Sequence, residues 1–278
     1  MIDTLNIRTM GSVVNHYDNR DKLTPSEISA LYNVPDIKDQ PILDIGVGAG
    51  RTTPALLKIS DDYLGVDYVP EMVNQCQKKF PVVCFDQADA RDMSKFADES
   101  FHTVFFSMNG LCMVDHEGRI AILKEISRLL KPEGAFLFST YNRDSALYLK
   151  TFQFPHFNFT LNPARFTVRS MRFLRSCWRR TMNRLHYKKA EVHTPEYAII
   201  NDVCHNYGTM LYYCSHDVVE QQLRELSADE LKEVVSKVAG PMIEKLASEM
   251  IERIAWEVVP DLAESMISEE IRKIKEGE

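Results

Sequence analysis

Residues 41–50 read PILDIGVGAG, and this stretch decides the fold prediction. An apolar run ends at Asp44, and glycines follow at alternate positions, Gly46, Gly48 and Gly50. Without a Cβ, a glycine backbone can turn tightly between a strand and a helix and come close to a ligand. The dinucleotide-binding spacing G-x-G-x-x-G would need a third glycine at position 51, where the chain has arginine. Since the Asp44 carboxylate would also repel a pyrophosphate, the loop is predicted to bind a cationic ligand.

Residues 41 to about 141 alternate between short apolar runs and amphipathic helical stretches. DYLGVDY (62–68) and HTVFFSM (102–108) are typical of buried strands, whereas HEGRIAILKEISRLL (116–130) carries apolar residues at helical spacing. Alternating strands and helices form a parallel sheet that is covered on both faces. We therefore predict a three-layer α/β/α sandwich with a mostly parallel sheet of the seven-strand type, followed by an α-helical C-terminal extension.

Polar residues mark the ends of the next predicted strands. Asp67 ends the second strand, where a carboxylate can accept hydrogen bonds from both hydroxyls of a ribose. Asp89 follows the third strand, where it either accepts hydrogen bonds from an adenine amino group or caps a helix. Ser107, Met108 and Asn109 follow the fourth strand, and a substrate-binding loop explains them as well as ordinary turn chemistry does. For the glycine loop and these acids together, the simpler alternative is a generic nucleotide-binding fold.

With these features in this order, residues 38 to 142 resemble a class I S-adenosylmethionine-dependent methyltransferase. The resemblance implies S-adenosyl-L-methionine as the cofactor and methyl transfer to an oxygen or nitrogen of a small-molecule acceptor. It places the loop from Asp44 to Gly50 around the methionine part and Asp67 on the ribose. The other residues that it implies at the cofactor are Tyr17, Tyr68, Met72, Asp89, Ala90, Ser107, Met108 and Asn109. Glu133 is a departure, because relatives usually have glycine at this position.

The catalytic residues are less evident, because a sulfonium methyl is already a good electrophile and mainly needs positioning. His116, after the loop of the fourth strand, is a candidate general base, with a helix-cap or surface role as the alternative. Tyr141, after the fifth strand, is the second candidate. His186, His193 and His205 match no ligand spacing, so no metal is expected.

The chain is predicted to have three parts. Residues 1–40 form an N-terminal helical cover, residues 41–226 the methyltransferase domain with a substrate-covering insert at about 142–205, and residues 227–278 a helical tail. Relatives usually continue into a seventh strand where the tail begins, so the last strand is missing or replaced here. The tail faintly resembles helical tails of some bacterial response regulators, which leaves open a natural or a constructed fusion. Its apolar stripes predict a homodimer or a larger oligomer.

The segment from Arg165 to Lys189 holds nine Lys or Arg residues and no acid, with aromatic residues between them. Cations and rings suit a nucleic acid, so an RNA or DNA methyltransferase is one alternative function. The arginine spacing is helical, and a solvated cationic face is the simpler explanation. The net charge of −7 does not favour a large polyanion as partner. A non-catalytic module that binds S-adenosylmethionine is the second alternative.

Composition bounds the location. No apolar run approaches the roughly 20 residues that a membrane-spanning helix needs. The N-terminus lacks the pattern of a secretory signal, and the six cysteines form no C-x-x-C pair. We therefore expect a cytoplasmic protein that has no membrane partner.

Overall fold

The computed structural model describes residues 2–14, 22–145, 148, 154–157 and 159–225. Tyr17 and the predicted tail, 227–278, lie outside the described residues. Within those ranges, no helix combines the length and the apolar character that crossing a membrane requires.

The main sheet consists of five parallel strands. They are β1 (Ile42–Ile45), β2 (Tyr63–Asp67), β3 (Cys84–Gln87), β4 (Phe101–Phe106) and β5 (Leu130–Phe138), in the order β3-β2-β1-β4-β5. Leu43, Val66 and Val104 are fully buried, because helices cover the sheet. The strand order reverses beside β1, and in open α/β sheets ligands bind in the crevice at the carboxyl ends of the strands at such a point.

The helices that precede or connect these strands are α1 (Ile2–Ser12), α2 (Pro25–Tyr32), α3 (Thr53–Leu56), α4 (Pro70–Lys79) and α5 (His116–Leu129). In α5, the N-cap Asp115 accepts a hydrogen bond from the Gly118 amide at 2.9 Å. Ile122 and Ile126 recur at helical spacing and are buried against the sheet. The periodic pattern in the sequence therefore specifies which face of α5 covers the strands.

The N-terminal helices begin with a capping box and a buried polar anchor. Thr24 and Glu27 exchange side-chain and backbone hydrogen bonds at the start of α2, as the sequence Thr-Pro-Ser-Glu predicts. In α1, the buried Asn6 amide donates hydrogen bonds to the carbonyls of Met113 and Met210, at 2.6 and 2.9 Å. Since a buried amide is costly without partners, these bonds fix α1 to the later part of the fold.

The seven-strand sheet is not confirmed, because the remaining strands form a second sheet. Its strands are β6 (Tyr141–Asn142), β7 (Val192–His193), β8 (Tyr197–Asp202) and β9 (Thr209–Cys214), in the order β6-β9-β8-β7. The run at 209–214 is a strand, as predicted, but β9 pairs parallel with β6 and antiparallel with β8. The antiparallel neighbour therefore comes from the predicted insert, before β9 in the chain.

Two further helices and a strained turn complete the described fold. The helical spacing of the arginines is confirmed by α6 (Pro163–Tyr187), and α7 (His216–Glu225) follows β9. Between β8 and β9 lies the turn Cys204–Tyr207, in which His205, Asn206 and Tyr207 all have φ between 50° and 60°. Non-glycine residues rarely adopt this left-handed conformation, so three in a row mark a strained segment.

Candidate functional site

A cavity of about 460 Å³ opens at the carboxyl ends of β1, β2 and β4. Its wall includes most of the residues that the sequence predicts at the site. They are Gly46, Gly48, Asp67, Tyr68, Met72, Asp89, Ala90, Ser107, Met108, Asn109 and Tyr141. Asp44, Gly50 and His116 are not part of the wall. The structure therefore brings together side chains that are up to 95 positions apart, from Gly46 to Tyr141.

The three glycines of the loop after β1 have different tasks. All have positive φ, at 63°, 58° and 78° for Gly46, Gly48 and Gly50. A Cβ on Gly46 would lie 2.8 Å from the Phe106 ring, and one on Gly50 would lie 2.7 Å from the Phe80 ring. A Cβ on Gly48 would meet only the Gly46 carbonyl oxygen, at 4.0 Å. Packing within the fold therefore requires the outer two glycines, whereas Gly48 lines open space in the cavity.

Asp67 fixes the shape of this loop. Its two carboxylate oxygens accept hydrogen bonds from the amides of Gly48 and Val69, each at 2.9 Å. Burial raises the pKa of the Asp67 carboxyl to about 6, while these amide hydrogen bonds act in the opposite direction. The Tyr68 backbone amide also hydrogen-bonds this carboxylate, and since a carboxylate offers about four lone-pair sites, Asp67 retains acceptor capacity for a ligand.

Asp44 lies behind the loop rather than in the cavity wall. Its Oδ2 accepts hydrogen bonds from the hydroxyls of Thr52 and Tyr63, and the residue is only 1% exposed. Burial raises the pKa of the Asp44 carboxyl to about 7. Direct contact between this carboxylate and a cationic ligand, as the sequence predicts, finds no support in this geometry. Asp44 instead links the end of β1 to the start of α3 and to β2.

Asp89 and Met72 form the far end of the cavity. Met72, on α4, is 1% exposed and offers an apolar surface. Asp89 accepts hydrogen bonds from the guanidinium and the amide of Arg91, and these interactions hold the pKa of its carboxyl below the usual range. The bond from the Arg91 amide closes a turn and not the helix cap of the alternative interpretation, and Asp89 and Ala90 line the cavity.

The loop after β4 forms the opposite side. Met108 and Asn109 have left-handed backbones, with φ of 51° and 61°. The Asn109 amide donates a hydrogen bond to the Ser139 hydroxyl at 2.8 Å. Tyr141 lies in the same wall, and its ring stacks on Tyr213 with 4.8 Å between centroids. Burial raises the pKa of the Tyr141 hydroxyl, which therefore stays protonated and can donate a hydrogen bond into the cavity.

His116 is held away from the cavity. Its Nδ1 lies 2.9 Å from the Tyr212 hydroxyl, and its ring stacks on Tyr197 at 4.5 Å between centroids. The first helical position of α5 thus packs His116 against the second sheet, and the general-base prediction for this residue is not supported by its position. The helix-cap or surface role does not describe His116 either, because Asp115 is the N-cap and His116 is half-buried.

Sequence reasoning missed His205 as a site residue, because it tested this histidine only as a metal ligand. His205 and its neighbour Cys204 line the cavity from the strained turn. The turn is braced by α6, since Ser176 and Arg180 donate hydrogen bonds to Asn206 Oδ1 at 2.7 and 3.1 Å. No motif in the sequence marks a left-handed turn made by His, Asn and Tyr, although Asn and His are enriched in this conformation.

Comparison with known proteins assigns the part of the chain that carries the glycine loop. Residues 42–134 match a family model described as a methyltransferase domain. This segment is a methyltransferase domain. A demethylmenaquinone methyltransferase from Chlorobaculum parvum is 35% identical over 98 residues, which are 35% of this chain and 39% of that protein.

Two other known proteins are similar to part of the chain. A ubiquinone biosynthesis O-methyltransferase from Methylococcus capsulatus is 29% identical over 112 residues, which are 38% of this chain and 46% of that protein. The phosphoethanolamine N-methyltransferase 1 of Haemonchus contortus, solved with phosphoethanolamine and S-adenosylhomocysteine, is 18% identical with a TM-score of 0.43. That match covers 59% of this chain and 38% of the other. The chain spans less than half the length of the curated relatives it matches.

The cavity of the methyltransferase domain fits the family's cofactor, S-adenosylmethionine. At Gly48 there is room for a ligand where any side chain would intrude. Asp67 has acceptor capacity for ribose hydroxyls, and the cationic side chain in the wall, Arg51, is neutralised by an ion pair with Glu27 at 2.5 Å. A dinucleotide would place its pyrophosphate at the glycine loop, where it would gain little from the paired Arg51.

The same ion pair joins the N-terminal cover to the loop of the methyltransferase domain. Arg51 binds both carboxylate oxygens of Glu27 on α2, and it also donates a hydrogen bond to the Ser107 hydroxyl at 2.8 Å. From α1, Met10 reaches the cavity wall. Arg51, which stands where the dinucleotide-binding spacing would need glycine, thus links α2 to the ends of β1 and β4.

For metal binding, the described residues contain no group of three or more His, Cys, Asp or Glu side chains arranged to hold an ion.

Proposed function

We propose that the chain transfers the methyl group of S-adenosylmethionine to an oxygen or nitrogen atom of a small-molecule acceptor. One observation supports this most: a single cavity is lined by the glycine loop and Asp67 on one side and by Tyr141 and His205 on the other. Cofactor and acceptor groups would therefore share one cavity, as methyl transfer requires.

We assign the cofactor contacts as follows. The loop from Gly46 to Gly50 surrounds the methionine part, and Asp67 accepts hydrogen bonds from the ribose hydroxyls. Tyr68 and Met72 border the adenine, with Asp89 and Ala90 at its edge, while Ser107, Met108 and Asn109 close the side near the acceptor. All except Gly50 are lining residues, and Gly50 supports the loop by packing against Phe80.

The contribution of the protein to the reaction is mainly positioning. Bound S-adenosylmethionine supplies a methyl group that is already electrophilic, so the chain must hold the acceptor atom in line with it. Tyr141 orients the acceptor through a hydrogen bond from its hydroxyl. A ring nitrogen of His205 takes the proton that the acceptor loses, which leaves an oxygen as the new bond to carbon forms and must leave a protonated nitrogen before its lone pair can attack. The similar Methylococcus protein is an O-methyltransferase, which favours oxygen as the acceptor atom.

The nucleic-acid alternative has less support. No residue of α6 belongs to the cavity wall, so the cations of this helix lie outside the space in which the methyl group would be transferred. No feature of the cavity distinguishes a non-catalytic module that binds S-adenosylmethionine from an enzyme. A turnover assay separates the two.

A homodimer or larger oligomer formed through 227–278, and a cytoplasmic location, stay predictions. Light scattering of the full chain and of a chain that ends at residue 227 tests the first of them. An unchanged number of subunits per particle after truncation would contradict the role of the tail.

Turnover with methyl-labelled S-adenosylmethionine tests the proposed activity. A panel of phenols, carboxylic acids and amines is offered, and the methylated product is identified by mass spectrometry. We expect His205→Asn to lower kcat by about 100-fold, since general-base catalysis contributes on that order. Asn tolerates the left-handed backbone of this position. His193→Asn is the matched control, because the side chain of His193 is 55% exposed and does not line the cavity. Equal loss in both variants, or none in His205→Asn, would contradict the role of His205.

A further inference from the structure

In helix α6, polar side chains contact the rest of the fold and large apolar side chains are exposed, the opposite of an ordinary helix of a soluble protein. Polar side chains attach it to the rest of the fold: besides the bonds to Asn206 Oδ1, Asn183 donates to the Asn206 carbonyl at 3.0 Å and Arg184 to the Asn201 carbonyl at 3.0 Å. No residue of α6 is buried. Seven large apolar side chains of α6 are exposed, whereas Tyr187 packs against the buried cluster around Tyr212 and Phe173 packs on Phe157.

Five of these apolar side chains form what we call the outer face of α6. At 100° per residue they lie within about 80° of one another around the helix axis. Each is 47–66% exposed, although a large apolar surface in water is unfavourable. The five residues are Met171, Leu174, Trp178, Met182 and Leu185.

Two more apolar side chains are exposed next to the N-terminal end of the helix. Leu161 and Phe159, just before the N-cap Asn162, are 90% and 68% exposed. At 1.5 Å per residue, the outer face extends over about 21 Å from Met171 to Leu185. The exposed apolar surface is therefore a strip of several side chains and not a single hydrophobic side chain.

Cations border this strip. Arg172, Arg175 and Arg179 follow one edge of the outer face, and Lys188 and Lys189 lie at its C-terminal end. The three arginines are exposed and form no ion pair within the residues that the structure describes. There is no acid from Pro163 to Ala190, so nothing on the helix itself neutralises them.

We propose that the outer face of α6 binds the surface of a membrane that contains anionic lipids. A helix with an apolar face that includes Trp, and with Lys and Arg beside it, lies in the plane of the interface with its apolar side chains among the acyl chains. Anionic headgroups then neutralise the bordering cations. This site is independent of the methyl-transfer cavity, and it revises the expectation that the chain has no membrane partner.

A nucleic acid explains the outer face less well. Phosphates would neutralise the arginines, but single strands bind by stacking bases on aromatic rings. The outer face has one ring, Trp178, among four flexible aliphatic or thioether side chains. These four gain by transfer into acyl chains and gain little beside phosphates.

Vesicle flotation and the fluorescence of Trp178 test the proposal on the full chain. The second of the two tryptophans, Trp256, is replaced by Phe so that emission reports on Trp178 alone. We expect flotation with vesicles of phosphatidylcholine and phosphatidylglycerol but not of phosphatidylcholine alone. The Trp178 emission should move to shorter wavelength and be quenched by brominated acyl chains.

Variants with matched controls separate the two parts of the site. Leu174→Ser with Leu185→Ser should weaken vesicle binding at least tenfold. Replacing Arg172, Arg175 and Arg179 by Gln should weaken it on the order of 100-fold, since each cation near an anionic leaflet contributes about fivefold. The controls are Tyr32→Ser with Val82→Ser, both exposed apolar residues elsewhere, and Gln at the exposed Lys38, Lys58 and Lys124. The controls should bind as the parent does.

Four results would overturn the proposal. The first is a lack of flotation with anionic vesicles, and the second is flotation without any change in Trp178 emission, which means contact through charge alone. The third is tight RNA binding without vesicle binding. The fourth is a blue shift that grows with protein concentration in the absence of lipid, which means that a second copy covers the outer face.

Discussion

Replacing Gly48 by Ala separates ligand binding from folding. A Cβ at this position would have one protein atom within 4.0 Å, the Gly46 carbonyl oxygen, so the substitution causes no clash in the fold. Its cost to stability comes from the backbone, because φ is +58° and an L-residue in the left-handed region costs about 1–2 kcal/mol. For a chain of this size, that corresponds to a decrease in Tm of about 2–8 °C.

The effect on the cofactor should be much larger. The new methyl group would occupy the open space above the loop in which the cofactor backbone is placed, and we expect at least 100-fold weaker binding of S-adenosylhomocysteine. Calorimetric titration of the folded variant, with its Tm measured in parallel, tests this. Gly46→Ala is the contrasting control, because its Cβ would lie 2.8 Å from the Phe106 ring and should impair folding itself. A Gly48→Ala chain that binds within twofold of the parent would refute the placement of the cofactor over Gly48.

Three other predictions follow from backbone strain and from the buried carboxyls. Glu133→Gly should stabilise the chain by about 0.5–1 kcal/mol, because Glu133 has φ of +69° where relatives usually have glycine; a lower Tm in thermal unfolding would contradict this. Burial raises the pKa of Asp44 to about 7, so between about pH 4 and 7 the folded chain holds a proton that the unfolded chain releases. The free energy of unfolding should therefore fall by up to about 1.4 kcal/mol per pH unit as the pH rises through this range. The unfolding curves of Asp44→Asn should lack this component, and an identical pH profile in both chains would exclude it. The pKa of Asp67 is raised to about 6, and the ionised form should bind the ribose. The affinity for S-adenosylhomocysteine should therefore be about tenfold lower at pH 5 than above pH 7. Titrations that show no pH dependence would argue against that contact.

Local patterns predicted the parts of the fold that depend on neighbours in the sequence. The five parallel strands, the capping box at Thr24 and Glu27, and the face of α5 that packs on the sheet follow from apolar spacing and cap residues. The loop at Gly46 and Gly48 could be predicted equally well, because its positive φ angles favour glycine.

The pairing of strands that are distant in the chain could not be predicted from local patterns. The sequence shows that 209–214 is a strand, but whether β9 pairs in the main sheet or with β8 depends on which edge is available after β5. His116 and His205 illustrate the same limit within the site. The sequence places His116 near the acceptor, but His116 packs against Tyr212. His205 has no such signal in the sequence, and the left-handed turn brings it to the cavity.

The outer face of α6 illustrates a third limit. Its apolar and cationic residues were visible at helical spacing, yet a sequence pattern does not say which face of a helix is attached to the fold. The hydrogen bonds to Asn206 decide this, because they occupy the polar face and leave Trp178 exposed.

The central claim, that the cavity above Gly48 and Asp67 holds S-adenosylmethionine, is tested most directly by calorimetric titration of the purified chain. S-adenosylmethionine and S-adenosylhomocysteine are titrated separately, with NAD as the control ligand and Asp67→Ala as the control variant. The account predicts saturable binding of the first two at one site per chain, no binding of NAD, and a sharp loss of affinity in Asp67→Ala. Binding of NAD, no binding of either sulfur compound, or an Asp67→Ala chain that binds as tightly as the parent would contradict it.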